Sequence, residues 1–192
     1  MSFSHLRRVS TAAAFVLTLL LVGVSVSASD GGTLAERVQR ICSETPARVT
    51  AAFCSMQPGS IRLLGPDGAS VDVDVLIADN AVRRAAGYQF IAGDVVQETA
   101  IFFLFEAATA GSFHMCNVEV PLDIIWFRAN GSILDALLMR PGGVGNPSLC
   151  AQTYQPRRFG AYQFALELPE GGIERLGISN LAEWSLDVGS WN

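Results

Sequence analysis

The sequence predicts an α+β fold that is mostly β: a small barrel-like or strongly curved antiparallel sheet with short helices and an N-terminal helical lead-in. Three observations carry this expectation. From Ile61 onward the apolar residues recur with period two, as they do in strands with one face turned to a core. Eight or so short runs of this kind are separated by Gly, Pro, Asn and Asp clusters. The helical patterns between them are few and short, which argues against a doubly wound parallel sheet.

Taken in order, Thr33-Leu34-Ala35-Glu36 has the form of a capping box and opens a helix to about Cys42. Thr45, with Pro46 at the first helical position, predicts a second helix through Met56, ended by Gln57-Pro58-Gly59. Ile61-Arg62-Leu63-Leu64, a Gly65-Pro66-Asp67-Gly68 turn, and Ser70 to Ala78 then read as a hairpin. Val71, Val73 and Val75 lie on one face of it and Asp72 and Asp74 on the other. Asp79 to Ala86 reads as a short helix with Asp79 or Asn80 as its cap and Gly87 at its end. Strand-like runs follow at Ala100 to Phe105, Phe113 to Cys116 and Ile124 to Phe127. Asn130-Gly131 between Ile124-Ile125-Trp126-Phe127 and Ser132 to Met139 is the strongest hairpin signal in the chain. A Pro- and Gly-rich loop leads to a strand at Tyr162 to Leu168, a short helix near Gly172 to Leu176, and a last strand around Glu183 to Val188.

The first residues read as a targeting segment. Arg7 and Arg8 precede an apolar run from Ala12 to Val26, and Val26-Ser27-Ala28 supplies the small residues at which signal peptidase cuts. The run is shorter than the roughly 20 residues a spanning helix needs, so the expectation is a signal peptide over 1–28, cleaved after Ala28. A helical extension over 29–58 and one β-rich domain over 59–192 would follow, with membrane contact limited to the signal peptide before cleavage. Cleavage would leave eleven arginines against eighteen acidic residues, a surface that disfavours nucleic acid. The chain has no lysine, which removes Schiff-base chemistry. Cys42, Cys54, Cys116 and Cys150 all lie in the exported part, where an oxidising compartment favours disulfides; their spacing does not suit a zinc knuckle. Three pairings are open on spacing alone.

His114 is the one histidine beyond the leader, which excludes multi-histidine metal sites; no metal and no cofactor is expected. By alternation it shares a strand face with Ser112 and Cys116. Asp123 follows Pro121-Leu122 at the start of a strand, where a carboxylate can accept backbone N–H groups and fix a turn. Glu167 should project with Gln163 and Ala165, opposite Tyr162, Phe164, Leu166 and Leu168, either toward water or paired with an arginine. Pro141-Gly142-Gly143-Val144-Gly145 lacks the lysine of a phosphate loop and reads as a flexible rim.

Phe113-His114-Met115-Cys116-Asn117-Val118-Glu119-Val120-Pro121-Leu122-Asp123-Ile124-Ile125, with Val82 to Phe90 before it and Tyr162 to Ile178 after it, resembles the domain-of-unknown-function 192 family, an ancient uncharacterised family. That family usually reads roughly ERARGLMFR, then FWMKNTxIPLDI, a loop with Cys and Tyr, and ALEV before a Gly-containing helix. The resemblance covers about residues 70–188 and rests on four motifs in order, the best being Val120 to Ile124 and Ala165-Leu166-Glu167-Leu168. It departs at His114, Cys116 and Val118, where the family has Trp, Lys and Thr, and at Tyr88-Gln89-Phe90-Ile91. The resemblance implies a small β-rich fold, often exported, with no established activity. It also implies that the loop holding Cys150 passes near the strand holding Cys116. That pairs these two and leaves Cys42 with Cys54, although in an ideal helical hairpin the latter would lie about two turns apart.

These readings combine into an expectation of an exported periplasmic or extracellular protein, a non-catalytic module binding a small molecule or an envelope partner. Its shallow pocket would be lined by Asn117, Asp123, Tyr154 and Glu167, with His114 nearby. The alternative is a metal-independent hydrolase using His114 with a carboxylate.

Overall fold

A computed structural model describes residues 32–142, 145 and 149–189, so the expected signal peptide lies outside the described residues. Thr33 closes the capping box: its hydroxyl accepts the N–H of Glu36 and the Glu36 carboxylate accepts the N–H of Thr33. Helix α1 spans Leu34–Glu44, two residues beyond the predicted end, and buries Leu34 and Val38 on one stripe. The predicted second helix is broken. A 3₁₀ turn over Pro46–Arg48 is followed by a separate short helix, α2, at Ala51–Cys54, whose cap is the Thr50 hydroxyl. Gln57, read as a helix terminator, begins strand β1, Gln57–Leu64.

That break has a covalent consequence. Without a continuous helix from Thr45, Cys54 returns beside Cys42 with 5.9 Å between their Cα atoms, and the two form a disulfide. Cys116 and Cys150, 4.4 Å apart at Cα, form the other. Both pairings are those expected, and they suit an oxidising, non-cytoplasmic compartment.

The remaining elements are β2 (Ser70–Ala78), α3 (Ala81–Ala86), α4 (Gly93–Gln97), β3 (Ile101–Thr109), β4 (Phe113–His114), β5 (Leu122–Phe127) and β6 (Ile133–Met139). They continue with β7 (Thr153–Tyr154), β8 (Tyr162–Pro169), α5 (Gly172–Arg175) and β9 (Ser185–Leu186). The seven-stranded sheet runs β6-β5-β8-β3-β2-β1-β9, and β4 and β7 form a separate ribbon. The sheet is mixed, because β2 and β3 pair in parallel across the crossover made by α3 and α4. It is also not a closed barrel. It curls until an isolated bridge joins Ser185 to Ser132, beside the Asn130-Gly131 turn, but no ladder links β9 to β6. At that seam a Cβ on Gly131 would lie 2.2 Å from the Leu186 carbonyl oxygen, so the close approach requires glycine there.

Curling separates two cores. The inner one gathers Ile61, Val73, Phe102, Phe127, Phe164 and Leu186 from strands spread across the whole sheet. The outer one packs Leu34, Val38, Phe53 and Met56 of the N-terminal helical region against Leu76, Phe103, Trp126 and Ala165. Both faces of β8 are therefore covered. Among the described residues, no helix is long and apolar enough to cross a membrane.

Each disulfide restricts the unfolded chain in proportion to the logarithm of the loop it closes, 12 residues for Cys42–Cys54 and 34 for Cys116–Cys150. Replacing both cysteines of a pair by serine should cost about 3 kcal/mol for the first and about 4 kcal/mol for the second. Urea unfolding checks the order; a larger loss from the shorter loop would show that native packing, not chain entropy, dominates.

Candidate functional site

A cavity of about 260 Å³ opens on the outer face, between β3, the C-terminal end of α3 and the ribbon strand β4. Its walls are aromatic. Phe103 and Phe113 meet edge to face with centroids 5.1 Å apart, Phe105 and Tyr162 do so at 5.4 Å, and Phe113 lies 6.1 Å from Tyr162. The first two contacts are of the favourable edge-to-face kind and the third is tilted, and together they join the four rings into one wall. Tyr162 stands on this side, not with Phe164 as alternation predicts, because the β3–β8 register shifts between Leu104 and Thr109. Its hydroxyl donates to the Gly111 carbonyl at 2.8 Å, and burial pushes its pKa up to about 12.

Glu167 reaches this cavity from β8. Its residue is 4% exposed, yet among the described residues neither an arginine nor any other donor reaches its carboxyl group. It is thus not salt-bridged, and it is turned into the cavity rather than to open solvent, whereas alternation and burial predict a position facing water or paired with an arginine. Burial alone pushes its pKa up to about 8, so at neutral pH the carboxyl is mainly protonated. Gly87, the C-cap of α3, lies beside it; its φ of 44° favours glycine, and a Cβ there would be in ordinary contact with the Phe103 ring at 3.7 Å and with Glu167 Oε2 at 4.0 Å.

The mouth is polar. Arg84 lies with its guanidinium 5.1 Å from the Phe105 centroid and donates to the carbonyls of Asp79 and Leu104, both at 2.8 Å. His114 is exposed beside it; its Nδ1 accepts the Cys116 N–H at 3.3 Å, which leaves Nε2 to carry the proton in the neutral ring. Gln89 and Ser112 complete the mouth.

The structure brings together two of the five residues expected to form a site, His114 and Glu167. Asp123 shares its face of β5 with Ile125 and Phe127 of the inner core, whereas Glu167 pairs with Ile124 and shares its face with Ala165 of the outer core. The two carboxyl groups therefore sit on opposite sides of the sheet and cannot act as an acid–base pair. Asp123 instead accepts the N–H of Ile173 at 3.1 Å and that of Gly171, fixing the start of α5; burial raises its pKa against those bonds. Tyr154 accepts the Arg140 N–H at 3.0 Å and donates to the Arg140 carbonyl, pinning β7. Asn117, at φ 57°, accepts the Gly145 N–H and donates to Gln89, holding the mouth without lining it. Both cysteine pairs are oxidised, so no thiol stands beside His114.

A family model described as DUF192, Uncharacterized ACR, matches residues 63–183, more than half of the chain. The chain belongs to this family. Among solved structures, this DUF192 chain is similar to a Sinorhizobium meliloti protein described as a candidate transcription regulator. The two share 21% identity and a TM-score of 0.56, over 69% of this chain and 95% of that one. A protein of unknown function from Novosphingobium aromaticivorans matches at 20% identity and TM-score 0.53, over 72% and 96%. At such identity the likeness is one of fold. No curated protein matches the chain.

Sequence reasoning missed Arg84, Phe103, Phe105, Phe113 and Tyr162. Their aromatic members read as ordinary core, and the available signal was that several large rings fall around one strand carrying an acidic residue.

In the unfolded chain the Glu167 carboxyl has its ordinary value of 4.5, and folding raises this to about 8. Between these values the folded state binds a proton that the unfolded state does not. Its contribution is full below the lower value and is lost as pH rises, by up to about 1.4 kcal/mol per pH unit. Unfolding measured from pH 5 to 9 should show wild type losing stability relative to Glu167→Gln until about pH 8; parallel profiles would mean the carboxyl is solvated.

Proposed function

We propose that this protein is an exported, non-catalytic binding module of the cell envelope that holds a small molecule in the aromatic cavity over Glu167. One observation carries the reading: a carboxyl group, buried and without a partner, faces a preformed apolar cavity with a polar mouth. Natural interiors rarely leave such a group unmatched, and a ligand supplies the match. At about 260 Å³ the space suits a molecule smaller than a typical drug. Two disulfides and the leader-like residues 1–28 support export.

Hydrolysis by His114 with a carboxylate has less support. Its Nδ1 is engaged by a backbone N–H, and among the described residues it has no carboxylate partner and no activated hydroxyl. A nucleic-acid-binding role is disfavoured by the excess of acidic residues.

Thermal-shift screening of the exported protein against small envelope metabolites should find compounds that raise its melting temperature. The shift should disappear in Glu167→Met and persist in Asp123→Asn, whose side chain lies on the other face. A shift that survives Glu167→Met and vanishes in Asp123→Asn would move the site to the far side of the sheet.

A further inference from the structure

We propose that the cavity selects an organic ammonium cation, with the charge seated between the aromatic wall and the Glu167 carboxylate. This rests on the small-ligand reading above and names its ligand class. Phe103, Phe105, Phe113 and Tyr162 offer ring surfaces, and Glu167 supplies the one acidic group among the lining residues. Rings attract cations through their quadrupole, and one of these rings, Phe105, already carries the Arg84 guanidinium at the mouth.

An isolated buried carboxylate is costly, and burial therefore favours its protonated form. A cation that displaces the proton restores the charge and pairs it in one step. The groups facing Glu167 do not supply that pairing themselves. From β3 and β5 come Ile101, Phe103 and Ile124, which are apolar. Tyr88 follows α3 and gives its hydroxyl to Thr99, and Tyr162 gives its own to Gly111. His114 and Arg84 are the titratable or charged groups at the mouth.

Arg84 opposes an incoming cation, so the balance must be decided by position. Its guanidinium is half-buried at the mouth and turned to the carbonyls of Asp79 and Leu104. Its Nη1 donors are thus engaged by those carbonyls, whereas Glu167 lies among apolar neighbours with no donor to it among the described residues, so a small cation with an apolar body meets its counter-charge at the carboxyl group and its remaining contacts on the rings.

The test uses choline, whose charge is permanent, its uncharged carbon isostere 3,3-dimethylbutan-1-ol, and benzoate, each titrated into the exported protein while the Gly87 and Glu167 amides are followed by NMR. Choline should bind about tenfold more tightly at pH 7 than at pH 6, and the gain should level off near pH 8, because binding releases one proton. The isostere should bind at least tenfold more weakly than choline at pH 8 and without a pH slope. In Glu167→Gln, choline should lose the slope and at least tenfold in affinity. Binding of the isostere or benzoate as tight as that of choline would overturn the ammonium assignment while leaving the cavity a ligand site. Silence of both amides toward choline at pH 8 also overturns it, and the metabolite screen then decides separately whether the cavity binds anything.

Discussion

The position of β8 constrains everything else. It lies inside the sheet between β5 and β3, with the inner core against one face and the outer core against the other. A strand covered on both sides normally reads as an unbroken apolar run. Tyr162 to Pro169 obeys this except at Gln163, which is half-buried, and at Glu167, so a carboxyl group is carried into the interior by the same hydrogen-bonded ladders that hold the sheet together. The fold cannot expose it without breaking its own centre.

Two other buried acids show what the interior usually demands. Asp135 on β6 accepts the Ala136 N–H, the Arg157 N–H and two guanidinium bonds at 3.1 and 2.9 Å. Burial alone would raise its pKa, but the Arg157 contacts outweigh burial and hold it below the ordinary carboxylate range. Asp123 is matched by backbone N–H groups at the start of α5. Glu167 has neither solution, which is why the space over it, and not the polar cluster around Asp123, is where chemistry can be added. The disulfide from Cys116 to Cys150 ties the loop after Phe113 and His114 to the chain leading into β7, so part of the cavity wall is stapled in place.

Much of this architecture was legible in local patterns. Period-two alternation located most strands, Asn130-Gly131 located the β5–β6 hairpin, and Thr33 and Asn80 announced the helices they cap. What was not legible depended on relations between distant segments. The parallel pairing of β2 with β3 arises from a crossover of two short helices, and α4 was missed because five residues, Gly93–Gln97, are too few to show helical periodicity. The Thr45–Met56 segment divides because the turn opened by Pro46 ends at Arg48 and Thr50 caps a second start, and the break lets Cys54 reach Cys42.

The site was half legible for a related reason. Alternation within one strand tells which residues share a face, but not which face of the assembled sheet that is. Asp123 and Glu167 each alternate correctly with their neighbours, and the register that sets Ile124 opposite Glu167 puts them on opposite sides. The same dependence on register explains Tyr162. A shift in β3 between Leu104 and Thr109 turns the end of β8, bringing its ring to Phe105 and Phe113 rather than to Phe164. Had the ladder run on without that irregularity, period two would have put Tyr162 in the inner core and removed one wall of the cavity. The wall beside Glu167 is therefore a product of a local departure from regular structure, the shifted register of β3, set next to a carboxyl group that the sheet has no other means to satisfy.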